Sequence, residues 1–244
     1  MKICAAQLKP RAGDFEYNLC KHIELVEKAI DQGIDLILFP ELSLTSYEPS
    51  LARALSTLAQ DPRLNTLQAM SDKSNIIICV GMPTSDKCGV RISLLIFQPR
   101  FPRQVYAKQI LHEDELPFFV SGKKQLFISH DDLLLAPAIC YESMQDSHSE
   151  FADEQGAKVY LASVAKSKDG VERGYKHYPN VAEKHGMTVL MANSYGPSDD
   201  FVSYGSSAVW NKRGDCVASL GEAGEGLVGI DTETGEGILI EFSE

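Results

Sequence analysis

Apolar residues along the chain fall into short continuous runs separated by polar or helical segments. Runs of this length are typical of strands that are buried on both faces. In chain order they are MKICAAQL, IDLILFPE, NIIICVGMP, RISLLIFQ, RQVYAK, residues 133–140, KVYLASV, TVLMAN and GLVGID. The segment SSAVWNKRGDCVASL adds a predicted hairpin, which turns at Arg213 and Gly214.

Helical periodicity occupies several of the intervening segments. After the first run, apolar residues recur at offsets of four, seven and eleven on one helical face, namely Leu19, Ile23, Val26 and Ile30. Asp14 is the predicted cap of this helix and Gly33 its end. Further helices are predicted from about residue 50, from Asp61-Pro62 to about residue 71, over 143–155, and over 171–186 with a break near Pro179.

Strands that alternate with helices in this way predict an α/β fold with helix-covered sheets. No fixed-period repeat, low-complexity tract or linker interrupts the 244 residues, so we expect a single domain spanning 1–244. The net charge of -11 argues against a nucleic-acid partner and against an anionic membrane surface.

The cellular location is inferred from targeting signals and from the cysteines. The N-terminal apolar patch is too short for a signal peptide and is interrupted by Gln7 and Lys9. No stretch approaches the roughly 20 apolar residues of a membrane span. The six cysteines are scattered without a CxxC pair, at Cys4, Cys20, Cys79, Cys88, Cys140 and Cys216. A disulfide framework is therefore not expected, and a reducing cytoplasm is the predicted location.

Three of the predicted strands stop on a reactive side chain: Glu41, Lys108 and Cys140. Ligands of α/β folds gather outside the carboxyl ends of strands, so these side chains could converge. Singly, each has an ordinary interpretation, as a surface charge or as a packed core thiol. As a set, they are the parts of a thiol acyl-transfer site.

The chemistry of such a site explains the set. A cysteine attacks as its thiolate, and a free pKa of about 8.5 leaves only a minor fraction ionised at neutral pH. Glu41 could take the proton as general base, and the Lys108 ammonium could stabilise the negative charge that develops on the attacked group. A helix that starts after Cys140 would add backbone donors and favour the thiolate.

The segments around these residues resemble the nitrilase superfamily of carbon–nitrogen hydrolases. GIDLILFPELSLTSY resembles the glutamate motif of the family, YAKQIL its lysine motif and ICYES its nucleophile motif. The opening segment AAQLKPRAGDFEYNL and the later segments MANSYG and YGSSAVWNKRGD extend the resemblance over nearly the whole chain. It implies a four-layer αββα sandwich.

The resemblance also implies roles for individual residues. Glu41 would be the general base, Cys140 the nucleophile and Lys108 the stabiliser of the transition state. Tyr141 would lend its backbone N–H to an oxyanion hole. For Glu142 we expect a structural role, because a carboxylate near a helix N-terminus is stabilising by itself.

Many members of the family carry a second glutamate shortly after the lysine motif. Three acidic residues occupy this stretch, Glu113, Asp114 and Glu115. We favour Glu115, because Phe119 and Gly122 resemble the F-x-x-G ending that follows it in the family. A solvated acidic loop is the alternative.

Two positions depart from the family pattern. Asn180 stands where the family often has an arginine, three residues ahead of Glu183. Ser46, just before Tyr47, stands where the family often has a glycine. Neither position belongs to the triad.

The predicted activity is hydrolysis of the non-peptide C–N bond of a small amide through a cysteine acyl-enzyme, with release of ammonia or an amine. A nitrilase, an N-carbamoyl hydrolase, a soluble acyltransferase and a catalytically silent binding protein remain alternatives. A metal hydrolase using HEDE (112–115) or SHSE (147–150) lacks the required histidine spacing. No metal or cofactor is expected, and the resemblance implies a homodimer or larger homo-oligomer.

Overall fold

Two β-sheets packed face to face, with helices on both outer faces, form the architecture of the protein. The structure is a computed structural model that describes residues 1–242. This four-layer α/β arrangement confirms the predicted fold class. The predicted domain 1–244 includes Ser243 and Glu244, which lie outside the described residues.

Fifteen strands and five α-helices are described. The strands are β1 (Lys2–Gln7), β2 (Leu36–Leu38), β3 (Ile77–Asp86), β4 (Gly89–Phe97), β5 (Gln104–Ala107), β6 (Ile128–His130), β7 (Leu133–Ile139), β8 (Val159–Val164), β9 (Thr188–Asn193), β10 (Tyr195–Ser198), β11 (Phe201–Tyr204), β12 (Ala208–Trp210), β13 (Cys216–Ser219), β14 (Gly226–Asp231) and β15 (Gly237–Glu241). The helices are α1 (Phe15–Asp31), α2 (Ala52–Leu55), α3 (Asn65–Ser74), α4 (Asp146–Glu154) and α5 (Lys168–His185).

Each of the two large sheets has a parallel centre and antiparallel edges. The first has the order β15-β14-β1-β2-β3-β4-β5, in which β1, β2 and β3 are parallel. The second has the order β13-β12-β9-β8-β7-β6, in which β7, β8 and β9 are parallel. A separate two-stranded sheet joins β10 to β11. The parallel centres place several strand ends at one edge of the molecule.

Alternating side chains of the central strands divide the core into layers. In β1, Ile3 and Ala5 face the core between the two sheets, whereas Cys4 and Ala6 belong to the core that includes apolar residues of α1. This alternation follows from the two-residue period of a strand. Because both faces of β1 are covered, its residues on both faces are apolar, and the strand is a continuous apolar run.

Helix α1 begins and ends at its predicted signals. The Asp14 side chain accepts a hydrogen bond from the Tyr17 N–H at 3.1 Å, and Gly33 follows the helix with φ of +65°. A non-glycine residue would be strained in that left-handed conformation.

Helix α5 runs unbroken through Pro179, so the predicted break is wrong. Proline removes one backbone donor from a helix and usually kinks it. Here Tyr178, Val181 and Ala182 on either side are buried against the second sheet, and this packing holds the helix together.

Four strands lie outside the predicted set: β6, β10, β11 and β15. Two of them form the separate β10–β11 pair, and two are edge strands of the large sheets. β15 alternates exposed and half-buried residues, so it contains no apolar run to detect. Within residues 1–242 no helix combines the length and the apolar character that crossing a membrane requires.

Candidate active site

A pocket of about 620 Å³ opens at the strand ends and contains Lys108, Glu115, Cys140 and Tyr141 in its lining. Glu41 joins this group through a hydrogen bond from Lys108. The structure therefore brings together all the residues for which the sequence predicted a role in the reaction. Their chemical roles stay predictions.

Lys108 lies between two carboxylates. Its Nζ donates to Glu41 Oε1 at 2.9 Å and to Glu115 Oε1 at 2.6 Å, and all three side chains are almost completely buried. Burial by itself lowers the pKa of Lys108, but Glu41, Cys140 and Glu115 together raise it above its ordinary value. The ammonium is thus charged at neutral pH and fixed in position.

The backbone of Lys108 is held by a close contact with Gly122. The Gly122 N–H donates to the Lys108 carbonyl at 2.7 Å. A Cβ at residue 122 would lie 2.1 Å from the Ala107 carbonyl oxygen, well inside contact distance. Only glycine permits this approach, which gives a physical reason for the glycine in the FFVSG segment.

Glu41 has one oxygen that is committed and one that is free. Oε1 accepts from Lys108, whereas the buried Oε2 has no hydrogen-bond partner among residues 1–242. Burial raises the pKa of Glu41 to about 7, against the opposing effect of Lys108 and with a further increase from Glu115. A carboxylate with a free oxygen and a pKa near neutrality is suited to accept a proton.

The loop that carries Glu41 is tightly packed and strained. The Glu41 N–H donates to the Val164 carbonyl at 3.3 Å, across the interface between the sheets. A Cβ at Gly81 would lie 2.3 Å from the Pro40 carbonyl oxygen, so glycine is required where β3 passes this loop. Leu42, the next residue, has φ of +51° in the left-handed region. These contacts fix the direction of the Glu41 side chain.

Cys140 follows β7 with φ of +44°, an unfavourable conformation for a residue with a side chain. Its N–H donates to the Ser163 carbonyl at 3.0 Å, and its carbonyl accepts from the Ser143 hydroxyl at 2.6 Å. The strand therefore ends in a sharp turn whose side chain lines the pocket.

The Cys140 thiol is not ionised at rest. Burial and the neighbouring Glu41 carboxylate raise its pKa to about 11, although Lys166 and Lys108 act in the opposite direction. A helix start after Cys140 is expected from the sequence to favour the thiolate, but the net shift of the pKa runs the other way. The residues after Tyr141 form a three-residue 3-10 turn, Glu142–Met144, rather than a full helix start. A base must remove the proton before sulfur can attack.

Glu142 connects the turn of Cys140 to the segment after Lys108. Its carboxylate is fully buried and accepts from the N–H groups of Ile139 at 2.8 Å and Gln109 at 2.6 Å. It also accepts from the Tyr106 hydroxyl at 2.6 Å. Glu142 is structural, as expected, but its role depends on these specific bonds more than on a helix terminus.

Among the three acidic residues after the lysine motif, Glu115 is the one that lies beside Lys108. It is 2% exposed and also accepts from the Tyr47 hydroxyl at 3.1 Å, whereas Glu113 is exposed. Tyr141 lies at the rim with its ring 5.0 Å from that of His112.

Several pocket residues were not selected by the sequence analysis, and the most buried charged one is Lys166, which lies just beyond the end of β8. Lys166 is 7% exposed. The rule that selected Glu41, Lys108 and Cys140, a polar side chain directly after a buried strand, would have selected it from VYLASVAK.

The position that departs from the family pattern on α5 lies away from the pocket. Asn180 is exposed, and its side chain donates to the Lys176 carbonyl one turn earlier at 2.9 Å. Within residues 1–242 no three His, Cys, Asp or Glu side chains are grouped closely enough to hold a metal ion.

A carbon-nitrogen hydrolase family model matches residues 2–235, so the chain belongs to the carbon–nitrogen hydrolase family. The NitN amidase of Nesterenkonia sp. AN1 has a similar structure, with a TM-score of 0.86 and 25% identity over 95% of this chain and 92% of that one. A mutant structure of the same amidase, with the same score, identity and coverage, contains the product of Michael addition of acrylamide at its active-site cysteine.

The curated relatives are named as synthetases and not as amidases. The glutamine-dependent NAD(+) synthetase of Thermotoga maritima is 26% identical over 99% of this chain, which corresponds to 44% of the synthetase. That of Acinetobacter baylyi is 24% identical over 88% of this chain and 41% of the synthetase. The chain thus spans less than half the length of these relatives.

Proposed function

We propose that the protein hydrolyses the C–N bond of a small amide through a thioester on Cys140. The observation that carries this proposal is the pairing of a free, buried Glu41 oxygen with a fixed Lys108 ammonium at the pocket that holds Cys140. These groups provide a base, a cation and a nucleophile, the three parts that acyl transfer to sulfur needs.

Acylation begins when Glu41 removes the proton from the Cys140 thiol and sulfur attacks the amide carbon. The carbonyl oxygen becomes an oxyanion, which the Lys108 ammonium and the Tyr141 N–H stabilise. Protonated Glu41 then gives its proton to the amide nitrogen, the C–N bond breaks and ammonia or an amine leaves. A thioester remains on Cys140.

Deacylation repeats the sequence with water. Glu41 takes a proton from a water molecule, and the oxygen of that water attacks the thioester carbon. Lys108 again stabilises the oxyanion. The C–S bond breaks, the thiolate regains the proton from Glu41 and the carboxylic acid leaves. Glu115 holds Lys108 in place throughout, through their 2.6 Å hydrogen bond.

An amide substrate is favoured over a nitrile because the similar solved structure is that of an amidase. The Nesterenkonia protein of 25% identity is an amidase, and in its E41Q mutant acrylamide, itself a small amide, has entered the site and added to the active-site cysteine. The pocket of about 620 Å³ has the size that small-molecule sites usually have.

A second candidate substrate is glutamine. The curated relatives are glutamine-dependent NAD(+) synthetases, and the match to the Thermotoga protein covers 99% of this chain. Ammonia released from glutamine would then serve a second reaction outside this chain.

The test is ammonia release from a panel of aliphatic amides, glutamine, carbamoyl compounds and nitriles, with Cys140→Ala as the control. We expect turnover of amides by the wild type and none by the variant. Turnover of nitriles alone, or equal activity in Cys140→Ala, would contradict the proposal.

Addition of hydroxylamine separates hydrolysis from acyl transfer. A hydroxamate formed from the thioester at the expense of free acid is expected of a hydrolase whose acyl-enzyme is open to small nucleophiles. A wild type that binds amides but releases no ammonia, with or without hydroxylamine, would indicate a binding protein.

A further inference from the structure

The side chain of Lys166 is a buried cation without a partner. The residue is 7% exposed and lines the same pocket as Cys140. Its backbone N–H and carbonyl are both bonded to Asn193, but within residues 1–242 its ammonium makes neither an ion pair nor a hydrogen bond.

A cation without a partner in the wall of a pocket is available to bind an anionic group of a ligand. Burial lowers the pKa of Lys166, but Tyr178, Cys140 and Glu41 together raise it above its ordinary value. The side chain is therefore an ammonium at neutral pH. The group suited to bind it is an anion.

The carboxylates of the site do not supply this partner. Glu41 and Glu115 are both bonded through Oε1 to Lys108, and the remaining Glu115 oxygen accepts from the His112 N–H at 2.8 Å. Asp114, Asp199 and Asp200 also line the pocket, but all three are exposed and make no ion pair with Lys166.

A second cation without a partner in residues 1–242 lines the same pocket. Arg173 of α5 lines the rim, is exposed, and makes no ion pair in the described part of the chain. Lys166 and Arg173 thus give the pocket two cations without an ion pair among the described residues, in addition to Lys108.

We infer that Lys166 binds a carboxylate carried by the acyl part of the substrate, so that the preferred substrate is the monoamide of a dicarboxylic acid. This inference rests on the proposed amide hydrolysis and adds the substrate class and the residue that selects it. Arg173 attracts the same anion at the rim, and Lys166 holds it inside.

The test compares amides that differ only in charge. Succinamate and glutaramate carry the carboxylate, whereas 4-oxopentanamide and 5-oxohexanamide replace it with a neutral acetyl group of similar shape. We expect the wild type to prefer the charged amide, and Lys166→Met to remove that preference by raising KM about 10- to 100-fold, the range of a hydrogen bond to a charged group. Lys166→Arg should retain part of it.

Lys168→Met is the matched control. Lys168 is two residues away, exposed, and outside the pocket, where it lies over the Tyr204 ring. This variant loses the same charge and should keep the wild-type preference. Thermal unfolding of each variant checks that the fold is intact.

Several outcomes would overturn the inference. A wild type that hydrolyses neutral and charged amides equally has no anion site, although the proposed function stands. Equal loss of kcat/KM for both amides in Lys166→Met would show that Lys166 supports Cys140 and does not select the substrate.

A binding measurement keeps the two proposals separate. Calorimetric titration of Cys140→Ala with glutaramate and with 5-oxohexanamide needs no turnover. Tighter binding of the charged amide, lost when Lys166→Met is added, supports the anion site even if no amide is hydrolysed. Equal binding of the two refutes it.

Discussion

Replacement of Ser46 by glycine should stabilise the protein. Ser46 is 1% exposed, has φ of +63°, and its hydroxyl oxygen has no hydrogen-bond partner among residues 1–242. A side chain in the left-handed region costs about 1–2 kcal/mol, and a buried hydroxyl without a partner costs about 1–3 kcal/mol. Ser46→Gly removes both costs.

Two opposing effects reduce the gain. Glycine increases the entropy of the unfolded chain by about 0.4–1 kcal/mol, and the lost Cβ forfeits about 0.8 kcal/mol of burial. The net expected stabilisation is about 1–3 kcal/mol. For a chain of this length, that shifts the midpoint of thermal unfolding upward by about 2–6 °C.

Urea unfolding of three variants measures each contribution. Ser46→Ala removes the hydroxyl but keeps the strained backbone, so it should recover only part of the gain. Ser71→Gly is the control, because the Ser71 hydroxyl donates to the Ile76 carbonyl at 2.7 Å within a helix that tolerates glycine poorly. It should destabilise the protein by about 1–3 kcal/mol.

A Ser46→Gly protein less stable than the wild type would refute this reasoning. Equal stability of Ser46→Gly and Ser46→Ala would show that the backbone conformation contributes nothing. The departure from the glycine of the family would then act only through the hydroxyl that lacks a partner.

The other predictions concern the active site. Because Glu41 must be ionised to act as base, kcat/KM should fall as the pH drops through about 7, and a flat profile from pH 5 to 9 would exclude it as the base. Burial raises the pKa of Glu41, so Glu41 contributes to the free energy of unfolding at low pH, and this contribution is lost as the pH rises from 4.5 through about 7. The free energy of unfolding of Glu41→Gln should not show this loss. Gly122→Ala should displace Lys108 and lower kcat by 10-fold or more, which corresponds to about 1.4 kcal/mol. The control Gly221→Ala should leave kcat unchanged, because its Cβ would meet nothing closer than 3.8 Å. Limiting iodoacetamide, itself a small amide, should label Cys140 ahead of the three exposed cysteines, as peptide mass mapping would show; even labelling of all four would contradict this.

The central strands were predictable because they are covered on both faces. β1, β3 and β8 read as continuous apolar runs, and nothing but burial in a sheet accounts for them at that length. Edge strands such as β6 and β15 are half exposed, so local residue types carry no signal that separates them from loops.

The site was predictable as a set of strand ends but not as a network of bonds. The sequence places Glu41, Lys108 and Cys140 after strands, yet burial and their mutual charges determine their pKa values, and these depend on three-dimensional distances. The thiol of Cys140 shows the difference, since burial and Glu41 raise its pKa, whereas the predicted helix start suggested the thiolate. Assembly into a homo-oligomer and a cytoplasmic location stay predictions.

The pocket is shared between the two sheets. Glu41 follows a strand of the first sheet, and Cys140 follows a strand of the second. Two hydrogen bonds join the layers here. The Glu41 N–H donates to the Val164 carbonyl, and the Ser163 hydroxyl donates to the Phe39 carbonyl at 2.8 Å. Neither half of the sandwich contains a complete set of reacting groups. A count of reactive sites per molecule would therefore measure the fraction of chains whose layers are docked. A substitution that loosens the interface between the layers should lower that count while the remaining sites keep their KM.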